Sequence, residues 1–217
     1  MIRPIKFESE LLEIKDLTKD VKHFVFSTSE NFTFEAGQFV NIAIDKVRRP
    51  YSIASSPEKD NIELCVKLVE NGQFTPKLFK LNEGDKIQVI GPMGHFKIKD
   101  TKKDLVFIST GTGVTPFRSM LLNNKFKNKI TLIAGYKHQE DELYGEEFRK
   151  LEKINTNFEY LVVFSREKEH HHVQDVLKDY NQKKTDYYIC GLKEMVFSVK
   201  EMLEENKIQD IFFERYD

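Results

Sequence analysis

Hydrophobic and polar positions follow two different rhythms along the chain, and the change falls near residue 100. Before it, short β-rich runs recur at spacings of roughly 8 to 12 residues, the interval typical of small all-β domains. They are VKHFVFST, QFVNIAI, YSIAS, NIELCVKLV and KIQVI, separated by turn signals such as AlaGly, AsnGly, GluGly and GlyPro. Short strands at this spacing predict a small antiparallel barrel. The one acceptable helix in this half is TPKLFKL at 75–81, placed to cap an end of the barrel.

From Asp104 onward the apolar runs are DLVFIS, KITLIAGY, FEYLVVFS, DYYIC and DIFFERY. They lack polar alternation, the mark of strands buried on both faces, and helix-length amphipathic segments lie between them. That pattern predicts a parallel sheet wrapped by helices. The expected fold is therefore an antiparallel β-barrel over residues 1–100 followed by an α/β domain over 101–217. The junction falls in the solvated charge run KIKDTKKD, 97–104.

Composition narrows the function. The chain of 217 residues can form two small domains, and 34 Lys and Arg against 35 Asp and Glu leave a charge of -1. A general nucleic-acid binder would carry a basic surplus for phosphate contacts, so no nucleic-acid partner is expected. No stretch approaches the ~18 apolar residues of a membrane span, and the start MIRPIKFESE has no apolar run of a signal peptide. The expectation is a cytoplasmic protein without a membrane span. Cys65 and Cys190 are the two cysteines, too few for a disulfide framework or a four-thiolate metal or iron–sulfur site. Electron transfer by this chain would use an organic cofactor.

Two motifs carry candidate chemistry. Gly111-Thr112-Gly113-Val114-Thr115-Pro116 follows the strand LVFIS and precedes the helical FRSMLL. Glycines at a strand-to-helix turn let backbone approach a pyrophosphate, and the helix N-terminus offers free N–H groups. Pro116 suits a first helical turn. The third glycine of the dinucleotide fingerprint and the Walker lysine are absent, so an ordinary tight turn stays open. The second motif is Arg49-Pro50-Tyr51-Ser52-Ile53-Ala54-Ser55. Arg offers a planar fork for phosphate oxygens, Tyr a face for a flat ring, Ser a small hydroxyl. Strand alternation puts Arg49 and Tyr51 on one face and Ser52 on the other. Plain edge-strand chemistry is the competing reading.

Taken together these segments resemble the ferredoxin-NADP reductase superfamily. Its FAD barrel carries R-x-Y-S, and its Rossmann-like nucleotide domain carries G-x-G-x-x-P. The resemblance spans nearly the whole chain in the same order: RPYSIAS, Gly72-Gln73-Phe74-Thr75, GPMGHF at 91–96, the GTGVTP turn, Cys190-Gly191-Leu192-Lys193-Glu194-Met195, and the ending Phe213-Glu214-Arg215-Tyr216-Asp217. It implies that Arg49 binds the FAD phosphates, that Tyr51 lies against the isoalloxazine, that Ser52 hydrogen-bonds near flavin N5, and that Thr75 supports the pyrophosphate. It further places Cys190 and Gly191 beside the reactive nicotinamide, although a free Cys is also commonly a small buried hydrophobe. Ser165 and Arg166 resemble the family's pair on the 2′-phosphate of NADP. His172-Val173-Gln174 resembles the Tyr-x-Gln segment flanking the adenine, with His172 and Gln174 as the matching positions. Glu214 and Tyr216 match the family's terminal acid and flavin-covering aromatic, except that Asp217 follows the tyrosine.

No metal site is expected. His170, His171 and His172 are adjacent, and three consecutive side chains do not converge on one ion. The implied function is a flavoenzyme that takes a hydride from NADPH onto FAD and passes single electrons to ferredoxin or flavodoxin. Lys97, Lys99, Lys102 and Lys103 form a basic run that could steer an acidic carrier. The alternatives are an NAD(P)H:flavin reductase, the reductase component of an oxygenase, or a non-enzymatic subunit that borrows the fold.

Overall fold

The computed structural model describes residues 3–123, 127–168, 171–180 and 184–216. The chain forms two compact units, Met1–Ile98 with Thr115–Asn124, and Lys99–Val114 with Lys125–Asp217.

In the first unit, six antiparallel strands run in the order β4-β3-β6-β1-β2-β5. They are β1 (Ile5–Asp16), β2 (Val21–Ser27), β3 (Phe39–Ile44), β4 (Val47–Ser52), β5 (Asn61–Lys67) and β6 (Lys86–Met93). An antiparallel bridge between Ile53 and Leu64 joins the chain beyond β4 to β5, the opposite edge of the sheet. The sheet thereby closes on itself around a core that includes Phe24, Phe26, Val40, Ile42, Ile62, Leu64 and Leu78. Helix α1 (Thr75–Leu78) is a single turn, shorter than the expected 75–81, and it drives Leu78 into that core.

Strand β1 was not among the expected strands. Its 12 residues place Ile5, Phe7, Ser9 and Leu11 inward and charged residues outward, until an irregularity between Leu11 and Glu13 moves the inward position to Ile14. One residue inserted into a period of two reverses the faces. The strand pairs with β6 over Ile5–Glu10 and with β2 beyond it. Strand β4 begins four residues earlier than the YSIAS run, and its Pro50 is tolerated because β4 is an edge in the strand order.

The second unit holds a five-stranded, wholly parallel sheet in the order β11-β10-β7-β8-β9. Its strands are β7 (Asp104–Thr110), β8 (Ile130–Tyr136), β9 (Phe158–Phe164), β10 (Thr185–Leu192) and β11 (Ile211–Tyr216). Helices α3 (Gly145–Ile154), α4 (Val173–Leu177) and α5 (Lys193–Glu205) lie in the connections. Helix α2 (Thr115–Leu122) follows β7 in the chain but packs with the first unit. Strands β7, β8 and β9 proceed in one direction from β7, and β10 and β11 in the other. The order therefore reverses between β7 and β10, and in such sheets ligands bind outside the carboxyl ends of the strands at that reversal. The expected fold class, an antiparallel barrel followed by a parallel α/β domain, is the observed one.

Candidate functional site

In the first unit, the β3–β4 ladder fixes the RPYS segment, with Arg49 opposite Ile42 and Tyr51 opposite Val40. Arg49 is exposed and donates to the Arg48 carbonyl at 2.9 Å. Tyr51 is half-buried on the same face, and burial pushes its phenol up to about 12, so it is neutral at physiological pH. Ser52 is 7% exposed, on the other face as alternation requires. The ring of Tyr51 lies 5.9 Å from that of Phe74, tilted by 32°, so the RPYS and GQFT segments meet through these two aromatics.

Within GQFT, Gly72 turns the chain, its N–H bonded to the Val69 carbonyl at 2.8 Å, and Gln73 is exposed. The Thr75 hydroxyl receives the Val69 N–H at 2.9 Å and donates to the Val69 carbonyl at 3.3 Å. Its visible work is to close the 69–75 loop.

In the second unit, the reversal point gathers most of the remaining candidates. Gly111 has φ +54°, and a Cβ there would meet nothing within 4 Å. Thr112 follows, and Gly113 packs against β10 so closely that a Cβ would lie 2.7 Å from the Cys190 carbonyl carbon and 2.9 Å from Gly191 Cα. Only glycine permits that approach. Gly191 in turn faces Thr110 Oγ1 and Met195 Cε, which would stand 2.6 and 2.7 Å from an added Cβ. Val114 ends the turn, and Thr115 and Pro116, both buried, open α2.

Cys190 is fully buried between Ser109 and Glu214 in the ladder. Its thiol donates to the Tyr216 hydroxyl at 3.4 Å, and that hydroxyl donates to the Thr112 carbonyl at 3.3 Å. Burial pushes the thiol well above its ordinary value, so Cys190 is a neutral thiol rather than a thiolate. Two side-chain oxygens at this point, Ser109 Oγ and Thr110 Oγ1, are buried without a hydrogen-bond partner. Neither was singled out from the sequence. Thr110 stands one residue before the glycine motif, and a hydroxyl at the end of the strand before that turn is the signal that would have marked it.

At the carboxyl ends of β8 and β9 the pairing continues past the strands: the Ser165 N–H bonds to the Tyr136 carbonyl and the Arg166 N–H to the Lys137 carbonyl, both at 2.9 Å. Arg166 is exposed. Glu167 is drawn aside, with Oε1 3.4 Å from His138 Nδ1 and 3.4 Å from the Gln139 N–H. His172 precedes α4, its N–H bonded to the Asp175 carboxylate at 2.9 Å, and Gln174 donates to Ser198 on α5 at 3.1 Å. His170 and Asp217 lie outside the described residues. Among the described residues no cluster of His, Cys, Asp or Glu is arranged to hold a metal ion.

The basic run 97–103 is largely committed. Lys97 pairs with Glu35 at 2.6 Å, Lys103 with Asp210 at 2.6 Å and Asp186 at 3.2 Å, and the Lys99 ammonium sits 4.0 Å over the Phe212 ring.

Residues 8–98 match the model of the oxidoreductase FAD-binding domain, and residues 107–201 match that of the oxidoreductase NAD-binding domain. The chain is 30% identical to ferredoxin–NADP reductase B of Sorangium cellulosum, over the full length of both. It is 31% identical over 79% of its length to one component of the Na(+)-translocating NADH-quinone reductase of Marinomonas, and it spans 49% of that component. Among solved structures, a ferredoxin NADP+ reductase from Neisseria gonorrhoeae with bound FAD and NADP superposes with a TM-score of 0.88 at 23% identity, covering 97% of this chain and 98% of that one. Fold and matched domains define an oxidoreductase with FAD- and NAD(P)-binding domains. The chain belongs to the ferredoxin-NADP reductase superfamily. No helix among its described residues is long and apolar enough to cross a membrane.

Proposed function

We propose that the chain transfers a hydride from NADPH to FAD and delivers the electrons singly to ferredoxin or flavodoxin, with residues 1–100 holding FAD and 101–217 the nucleotide. The observation that carries this reading is the convergence at the β7/β10 reversal of the Gly113–Cys190 close approach with two unpartnered buried hydroxyls, Ser109 and Thr110. The turn is open on the Gly111 side, and the buried Ser109 and Thr110 hydroxyls at the end of the strand before it lack hydrogen-bond partners, a combination that fits a polar, phosphate-bearing ligand at the turn. In the first unit the half-buried Tyr51 ring beside Phe74, with Arg49 exposed on the same face, fits a flat ring carrying phosphates.

When bound, FAD supplies the two-electron chemistry at N5 and the reduced nicotinamide supplies the hydride from C4. The protein's residues bind and orient. Arg49 gives the FAD pyrophosphate a charge-assisted fork, with Gly72, Gln73, Phe74 and Thr75 alongside. Tyr51 presents a neutral ring face, and Ser52 donates near N5. The Gly111–Gly113 turn brings N–H groups to the nucleotide pyrophosphate, and Thr115 and Pro116 open the helix behind it. Cys190 keeps a neutral, apolar thiol beside the nicotinamide, and Glu214 and Tyr216 flank it. Arg166, with Ser165, takes the 2′-phosphate, while His172 and Gln174 flank the adenine. Glu167, the acid that would bind a bare ribose diol, has Oε1 drawn toward His138 and Gln139, which supports NADPH over NADH.

One observation favours a second reading of the acceptor. With Lys97 and Lys103 paired to carboxylates, the basic run offers little steering toward an acidic carrier. The reductase component of phenol 2-monooxygenase from Pseudomonas is 29% identical over 93% of this chain, and a reductase feeding an oxygenase fits the same site. The test is NADPH-driven reduction of added ferredoxin and of added flavodoxin by the purified chain. Rapid turnover with either supports the carrier reading. Fast flavin reduction with neither carrier reduced would replace it with an oxygenase reductase, and turnover only with free flavin would make the protein a flavin reductase.

A further inference from the structure

The first unit contains a buried charged group that none of the roles above uses. Arg118 of α2 is 8% exposed and Glu63 of β5 is 4% exposed, and Nη1 of the one lies 2.6 Å from Oε2 of the other. The same Nη1 donates to the Ala54 carbonyl at 2.8 Å. Ser119, next along the helix, donates to the Ser55 carbonyl at 2.7 Å. Both carbonyls belong to the irregular stretch directly beyond β4, which ends at Ser52.

That stretch is held by individual bonds in place of a regular ladder. The Ile53 N–H goes to the Gln38 carbonyl at 3.0 Å and the Ala54 N–H to the Glu63 carbonyl at 2.7 Å. The Ser55 hydroxyl receives the Glu63 N–H at 3.2 Å and donates to the Asn61 carbonyl at 3.1 Å. Glu63 thus grips Ala54 twice, once through its own backbone and once through Arg118.

A buried ion pair is a poor device for stability alone. Desolvating both charges offsets their attraction, and apolar side chains of similar volume commonly serve as well. What a guanidinium adds is direction, since its fork fixes a carbonyl in distance and angle. The carbonyl fixed here lies two residues from the hydroxyl assigned to flavin N5, where placement within about 0.5 Å decides function.

We propose that Arg118, with Ser119, is a positioning residue for Ser52: it holds the Ala54–Ser55 main chain, and through it the Ser52 hydroxyl, where hydride transfer to the flavin requires it. This rests on the reading of Ser52 as the flavin-side hydroxyl. The test uses the full chain loaded with FAD and compares wild type, the double variant Arg118→Met/Glu63→Leu, and Ser119→Ala. Three readouts are taken: thermal unfolding, the flavin absorption spectrum, and the limiting rate of flavin reduction against NADPH concentration.

The apolar pair replaces the buried charges, the half-exposed Lys59 can be solvated without Glu63, and the bond to the Ala54 carbonyl is lost, so the double variant should stay folded with a modestly lowered unfolding midpoint and keep its FAD. Its absorption bands should shift, and its limiting rate should fall about tenfold to a hundredfold, the loss expected of a misplacement near 1 Å, with little change in the NADPH concentration for half-saturation. Ser119→Ala should show the same pattern with a smaller loss. A double variant that folds, holds FAD and is reduced at the wild-type rate with an unshifted spectrum would overturn the proposal. If the double variant does not fold, an unchanged rate and spectrum in Ser119→Ala would overturn it. Wild-type protein that holds no flavin would overturn the functional reading along with it, whereas a reducible wild type with indifferent variants would remove this inference alone.

Discussion

Replacing Gly113 by Ala tests whether the glycine turn exists to bring backbone against backbone. The added Cβ would stand 2.7 Å from the Cys190 carbonyl carbon and 2.9 Å from Gly191 Cα, and nearer still to the Cys190 oxygen, where ordinary contact begins at 3.4 Å. All three neighbours are main chain, and Cys190 is held in the ladder on both sides by β7 and β11, so neither partner yields cheaply. The turn must therefore move away from β10 by about 1 Å, set by the contact to the Cys190 oxygen. Overpacking of this kind costs roughly 1 to 3 kcal/mol. At about 2 to 4 °C per kcal/mol for a chain of this size, the unfolding midpoint should fall by several degrees. Nucleotide affinity should fall further, about tenfold to a hundredfold, because the N–H groups proposed to meet the phosphates move with the turn. FAD affinity should stay near wild type. Gly111→Ala is the control: it meets no protein atom within 4 Å and pays only the left-handed strain at φ +54°, about 1 to 2 kcal/mol. Calorimetric titration of NADP+ and FAD into each variant reads both affinities. Wild-type NADP+ affinity in Gly113→Ala would refute the close-approach argument.

Arg49→Ala should weaken FAD retention by roughly tenfold to a hundredfold, the worth of a charge-assisted fork of about 1.5 to 3 kcal/mol. FAD content after repeated ultrafiltration checks it, and occupancy equal to wild type would count against that role. Arg166→Ala should lower kcat/KM for NADPH by a similar factor while leaving NADH nearly untouched. An equal loss for both nucleotides would make Arg166 a support of the fold or of the pyrophosphate. Acid stability should depend on His23, whose imidazole burial lowers to about 4 despite the Glu63 carboxylate 3.7 Å away. The unfolded chain binds a proton between about pH 6.5 and 4 that the folded chain refuses, so stability falls as pH drops across that window, by roughly 3 kcal/mol. Burial acts to raise Glu63, but Lys59 and Arg118 outweigh it and hold the carboxyl low, so its contribution is present above its unfolded value and lost at lower pH. Denaturant titrations from pH 7 to 4 should show a steeper loss in wild type than in His23→Gln, and equal slopes would remove His23 from the account.

The parallel sheet was legible because strands buried on both faces must be apolar without interruption, and Ile130–Tyr136 is buried throughout. Strand β1 was not, because its outward face is Lys6, Glu8 and Glu10 and its inward face changes parity at the irregularity near Leu11. The glycine motif was readable as a motif, but the reason for Gly113 was not: its neighbour Cys190 arrives from a strand far along the chain. Long-range pairing also hid the fate of the basic run, whose Lys97 and Lys103 meet Glu35 and Asp210 at separations of 62 and 107 residues. Arg118 sits in an apolar helical segment, TPFRSMLL, and nothing local to it indicates a buried carboxylate partner on β5.

Hydride transfer from a nicotinamide nucleotide to a bound flavin is the step on which every role proposed above depends. An absorbance spectrum of the purified protein, followed by anaerobic titration with NADPH and then NADH, tests it most directly. Retained FAD should bleach stoichiometrically with NADPH and require more NADH for the same change. A protein that takes up no FAD, or a bound flavin that neither nucleotide bleaches, would contradict it.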